Sequence, residues 1–139
     1  MANINMRIKS LPQGAIAEFD KVSKWLRSND ANFQSVNNTK ICKNTQGLAD
    51  ITNDLLKQFA REIDCPSSQN RITAIHFNQS AAVPVEEGWV VDLMPVDMGE
   101  GPVTVESQKL NLGQYVHLTE EANISGNFFA LLLLSQLDS

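Results

Sequence analysis

Phe128-Phe129-Ala130-Leu131-Leu132-Leu133-Leu134 is an unbroken run of seven apolar residues close to the end of the chain. Its reading decides the fold class, because a helix that is apolar all round must be covered on all sides. Leucine and alanine favour a helix. Just upstream, Thr119 offers a capping hydroxyl, and Glu120 and Glu121 suit the positive end of a helix dipole. The expectation is an apolar C-terminal helix, interrupted at Gly126, that serves as the central core element or as part of a homodimer contact. The run falls far short of the roughly 20 apolar residues that a membrane-spanning helix needs, so no membrane partner is expected.

Outward from this run, residues 87–96, built on Trp89, Val90, Val91, Leu93, Met94 and Val96, read as a strand, and Arg71 to Phe77 as another. Asp97-Met98-Gly99-Glu100-Gly101-Pro102 is a turn cluster leading to a short strand at residues 103–106, and residues 114–118 add one more. Near the start, Ile4, Met6 and Ile8 alternate with Asn5, Arg7 and Lys9, the period-two mark of a half-buried strand. Ser10, Pro12 and Gln13 then open a helix whose stripe is Ala15, Phe19, Val22 and Leu26. Asn37-Asn38, between Phe33, Val36 and Ile41, marks a small hairpin or an irregular loop. From Thr45 a second helix places Leu48, Ile51, Leu55, Phe59 and Ile63 on one face, and Cys65-Pro66 stops it. The sum is a single α+β domain over residues 1–139. It has a short N-terminal strand, two amphipathic helices, an antiparallel sheet of three to four strands and the apolar C-terminal helix. A chain of 139 residues buries about two thirds of its unfolded surface without help from a metal or a disulfide.

Charge is distributed unevenly. Residues 72–139 hold nine acids and one base, Lys109, whereas residues 1–71 hold ten Lys and Arg against seven acids. An imbalance of this kind speaks to partners and association. The acids Glu86, Glu87, Asp97, Glu100 and Glu106, with Trp89 and Tyr115 as aromatic anchors, suit recognition of a basic protein surface. This predicts a small protein-binding module, an inhibitor, immunity or accessory protein, that is non-enzymatic and self-associating. Direct nucleic-acid binding is disfavoured, since phosphate neutralisation needs clustered Lys and Arg. The start of the chain, MANINMRIKSLPQ, lacks the apolar core of a secretory signal, so a cytoplasmic protein is expected. Cys42 and Cys65 are then free, structural thiols.

No signature motif for catalysis or metal binding is present. There is no HExxH, paired CxxC, EF-hand spacing or GxSxG elbow, and Gly99-Glu100-Gly101 carries an acid where a phosphate loop would need none. No metal and no cofactor is therefore expected. One enzymatic alternative stands beside the binding module, a small α+β enzyme using Asp92 as an acid or base with His76 or His117 as its partner. Asp92 interrupts an otherwise apolar strand, and on that strand Val90, Asp92 and Met94 share one face.

Overall fold

The computed structural model describes residues 7–11, 13–36, 39–62, 70–99 and 101–136. The helices are α1 (Gln13–Ile16), α2 (Phe19–Arg27) and α3 (Thr45–Glu62), with a single 3-10 turn at Asn29–Ala31. The strands run β1 (Arg7–Ser10), β2 (Phe33–Val36), β3 (Thr39–Cys42), β4 (Asn70–Phe77), β5 (Ala81–Val83), β6 (Trp89–Met98), β7 (Thr104–Val105), β8 (Gln108–Lys109), β9 (Gln114–Leu118), β10 (Ala122–Ser125) and β11 (Phe128–Gln136). They form an antiparallel seven-stranded sheet of order β1-β9-β6-β11-β4-β3-β2 and a four-stranded sheet of order β5-β10-β7-β8.

From β4 onward the chain passes back and forth between the two sheets. β4, β6, β9 and β11 enter the large one, and β5, the β7–β8 hairpin and β10 enter the small one. Eight strands exchanged in this way make a double-sheet jelly roll. The β2–β3 hairpin and β1 extend the large sheet at its two edges.

The large sheet is covered on both faces. Val22 and Leu26 of α2 and Leu48 and Leu55 of α3 pack on one side against Ala74, Met94, Leu131 and Leu133. On the other side Val83, Val105, Leu110 and Ile124, from the small sheet and its loops, meet Phe77, Val91, Leu93, Phe128, Ala130 and Leu132. Burial on both faces explains the unbroken apolar run. β11 lies at the centre of the sheet, paired with β4 on one side and β6 on the other, so most of its side chains on both faces are buried, and Phe129 and Leu134 are half-buried. Fully burying each leucine there contributes about 2 kcal/mol.

The expected α+β class with an apolar C-terminal helix is thus corrected to a β-rich sandwich with helices on one outer face. Helical propensity in Phe128–Leu134 yields to tertiary pairing. The helix start read at Thr119 is overturned too, because Ala122–Ser125 pairs with both β5 and β7. The sheet of three to four strands becomes two sheets with eleven strands. The second amphipathic helix is α3, whose residues Leu48 and Leu55 are fully buried, and Ile63 lies outside the described residues. The first helix breaks at Ala17 and Glu18 into α1 and α2. Residues 33–36 and 39–42 form a hairpin. The N-terminal strand is observed from Arg7, with residues 3–6 outside the described part. Among the described residues no helix is long and apolar enough to cross a membrane.

Candidate functional site

A β-bulge positions the most polar site in the structure. Along β6, Met94 pairs with Leu131 and Pro95 with Ala130, but Phe129 pairs with Asp97, so Val96 is an extra residue. Strict alternation would send Asp97 into the apolar space between the sheets. The extra residue instead returns it to the helix-covered face, the kind of re-aiming that bulges perform. There it meets the last turn of α2. Arg27 grips both carboxylate oxygens, donating through Nε to Oδ2 and through Nη2 to Oδ1 at 2.6 Å, and Ser23 Oγ donates to Oδ2 at 2.6 Å. The guanidinium holds the Asp97 carboxyl below its ordinary range, aided by the Ser23 hydroxyl and opposed by burial.

Asp97 ends a row that crosses four neighbouring strands. Lys40 on β3 is paired with His76 on β4, His76 with Phe129 on β11, and Phe129 with Asp97 on β6. At about 4.8 Å between strands the row spans roughly 14 Å. The His76 ring stacks on Phe129 with centroids 4.2 Å apart and planes 7° from parallel, and Phe33 meets Phe129 edge-on at 5.5 Å. His76 Nε2 lies 3.3 Å from Asn127 Oδ1. Asn127 is itself fixed by the Gly99 amide, which donates to its backbone oxygen at 2.7 Å. A side chain on Gly99 would place Cβ only 2.6 Å from that same oxygen.

This row is the floor of a cleft of about 760 Å³. The end of α2, the 3-10 turn and β2 form its walls through Arg27, Asn29, Asn32 and Phe33. Among the described residues of the lining, two cations, Arg27 and Lys40, face one anion, Asp97, a net positive balance in a chain of net charge −5. Amide groups and aromatic faces complete the lining. The arrangement suits gripping an oxyanion beside a flat apolar group. It offers no activated nucleophile, since Ser23 is committed to Asp97 and Ser28 Oγ donates to the Trp25 carbonyl at 2.6 Å.

The residues singled out from the sequence are divided among distant places. Asp92 and His117 come together, with Nδ1 of the histidine 2.7 Å from Asp92 Oδ1, and Asp92 is buried at 2% exposure. The face shared by Val90, Asp92 and Met94 is therefore interior. His76 belongs to the other site, since it stands opposite Phe129 whereas Asp92 stands opposite Leu133, four residues along β11. Glu86 and Glu87 are exposed in the loop before β6, and Trp89 is half-buried at the start of that strand. Asp97 lies at the far end of the ten-residue β6, on the order of 30 Å away at about 3.3 Å per residue. Glu106 sits in the β7–β8 turn, where its carboxylate accepts from the Asn123 amide. Tyr115 is a core residue at 3% exposure, and Glu100 lies outside the described residues. Sequence reasoning missed Ser23, Arg27, Phe33, Lys40, Asn127 and Phe129. The one available signal was an arginine closing an amphipathic helix.

A two-histidine-one-carboxylate iron centre needs three such ligands around one point. Among the described residues no three His, Cys, Asp or Glu side chains converge in that way, and Asp97 is already held by Arg27. The described residues do not fit such a centre. Cys42 is buried, with its thiol donating to the Ala31 carbonyl at 3.0 Å, and burial pushes that thiol above its ordinary value. Cys65 lies outside the described residues.

No protein-family model and no curated protein matches the chain. Among solved structures it resembles a prolyl-4-hydroxylase from Pseudomonas putida with a TM-score of 0.60 and 8% identity, covering 99% of this chain and 95% of that one. A quercetin 2,3-dioxygenase from Acinetobacter baumannii aligns with a TM-score of 0.49 and 13% identity over 78% of this chain, which spans only 34% of that protein. At 8% identity the hydroxylase likeness shows the fold alone, and the chain is a jelly roll by its strand order and by that likeness.

Proposed function

We propose that this chain is a binding protein whose working surface is the cleft on the Lys40–His76–Phe129–Asp97 row, and that its ligand is a small molecule carrying a carboxylate or phosphate. The observation that carries this reading is the positive, aromatic-walled cleft in an acidic protein, with Arg27 held in place by a buried carboxylate. Arg27 is pre-organised by Asp97, Lys40 supplies a second cation, and the stacked His76–Phe129 pair gives a flat apolar platform. The positions of Glu86, Glu87, Asp97 and Glu106 on separate elements, and the burial of Tyr115, weigh against one continuous acidic face for a basic protein partner. The cytoplasm is the compartment that fits a free, buried Cys42 thiol.

Titration with inorganic phosphate and with glutarate, followed by amide chemical shifts, tests the proposal. Saturable shifts at Lys40, His76 and Asn127 support it. Lys40→Gln weakens that binding about tenfold, the scale of one charge-assisted hydrogen bond.

A second reading rests on a separate observation, the Asp92–His117 pair. A buried carboxylate that orients a half-exposed imidazole is the arrangement of a general base and its orienter. This makes the chain a small enzyme acting at the β6–β9 junction. Activity in a hydrolase panel that disappears in both Asp92→Asn and His117→Gln would support it, and activity surviving either change would reject that pair.

A further inference from the structure

The large sheet extends past the small one. β3 and β2 continue beyond β4, whereas the small sheet ends at β5, so the sandwich is open along that side. The opening is a cavity of about 490 Å³ between the β2–β3 hairpin and β5, floored by Ile41, Ile75, Leu132 and Leu134. Its lining is aliphatic and aromatic apart from the hydroxyls of Thr39 and Thr73, and its size lies within the range of about 300–1,000 Å³ usual for ligand sites. Ile41, Ile75 and Leu134 are only half-buried, an apolar wall left open to water.

A cation stands at one end of this wall. Arg71 lies two residues before Thr73 on β4 and directly opposite Leu134 on β11, so alternation places it on the cavity's face. It is exposed, and its guanidinium sits 5.8 Å from the centre of the Trp89 ring. Among the described residues no carboxylate pairs with it. An apolar chamber with an arginine and a tryptophan just past Thr73 and Leu134 on the same sheet face matches a molecule with an apolar tail and an anionic head.

We propose that this opening binds a small amphipathic carboxylate, its chain between β3–β4 and β5 and its head on Arg71 beside Trp89. The site lies on the opposite face of the large sheet from the Lys40–Asp97 row and does not depend on it.

Decanoate and decanol, both kept below micelle-forming concentrations, are the probes, read by calorimetry on the full chain. Decanoate should bind saturably and more tightly than decanol. Arg71→Gln should weaken decanoate about tenfold while leaving decanol unchanged, and Val36→Asp, at an exposed edge-strand position lining the cavity, should weaken both. Absence of saturable decanoate binding to the folded protein overturns the proposal, as does equal binding of the two probes. Light scattering that shows a dimer dissociated by Val36→Asp also overturns it, because a second copy would then fill the opening.

Discussion

Asp92 and Asp97 stand on one strand, five positions apart, and both point toward the helices, yet they live in different chemistry. An odd spacing should place them on opposite faces. The bulge at Val96 puts them on the same face. Asp92 lies deep in the sheet with its carboxylate against His117 on the neighbouring strand β9. Asp97 lies where the sheet meets α2 and is gripped on both oxygens by Arg27, with Ser23 as a third donor. The difference shows that an acid in an apolar strand gains its role from what crosses the sheet at its register position.

The largest effect is expected from the floor common to both acids. Leu131 is fully buried and pairs with Met94, between the two carboxylates. Leu131→Ala should cost about 3 kcal/mol in denaturant unfolding and disturb both sites together. A loss below about 1 kcal/mol would show that β11 is not the close-packed centre described above.

Asp97→Asn should come next, at about 2 kcal/mol, because it removes the charge from a buried carboxylate with three donors. Its pH dependence has a defined sign. The carboxyl is held down in the folded state, chiefly by Arg27. Its contribution is therefore complete above the ordinary carboxylate pKa of about 3.9 and is lost as pH falls through the lowered folded value. The stability gap between wild type and Asp97→Asn should be constant near neutrality and shrink in acid. A gap that widens in acid would contradict the ion pair. Asp92→Asn should cost less, about 1 kcal/mol, because an amide still bonds His117 and no arginine is left without its carboxylate. Equal costs at the two positions would erase the distinction drawn between them.

The smallest effect is expected in the loop before β6. Glu86→Lys with Glu87→Lys should change stability by less than about 0.5 kcal/mol and leave phosphate and glutarate affinity in the cleft unchanged. Loss of a captured protein partner in that variant would restore the acidic loop as a binding surface.

Much of the framework was legible from patterns of local period. Alternation or dense β-branching marked β1, β4, β6 and β9, and the stripe through Leu48 and Leu55 marked α3. What stayed hidden was set by long-range pairing. Phe128–Leu134 carries a helical composition, and only its place between β4 and β6 makes it a strand. Glycine and asparagine at 126 and 127, just ahead of the run, were the local hint of a strand boundary. Asp92 drew attention because it breaks an apolar strand, and its partner His117 was among the named candidates. Asp97 was read as a surface acid in a turn, since nothing local reveals a bulge at Val96 or an arginine 70 residues upstream. Lys40, His76 and Phe129 are far apart in sequence, and only sheet register brings them into one row.

The central claim, that this row is an oxyanion site, is tested most directly by amide chemical-shift titration with phosphate and glutarate on wild type and Lys40→Gln. The account predicts saturable shifts clustered at Lys40, His76, Asn127 and the end of α2 in wild type, with about tenfold weaker binding in the variant. Shifts that stay linear with concentration, that cluster elsewhere, or that are identical in Lys40→Gln would contradict it.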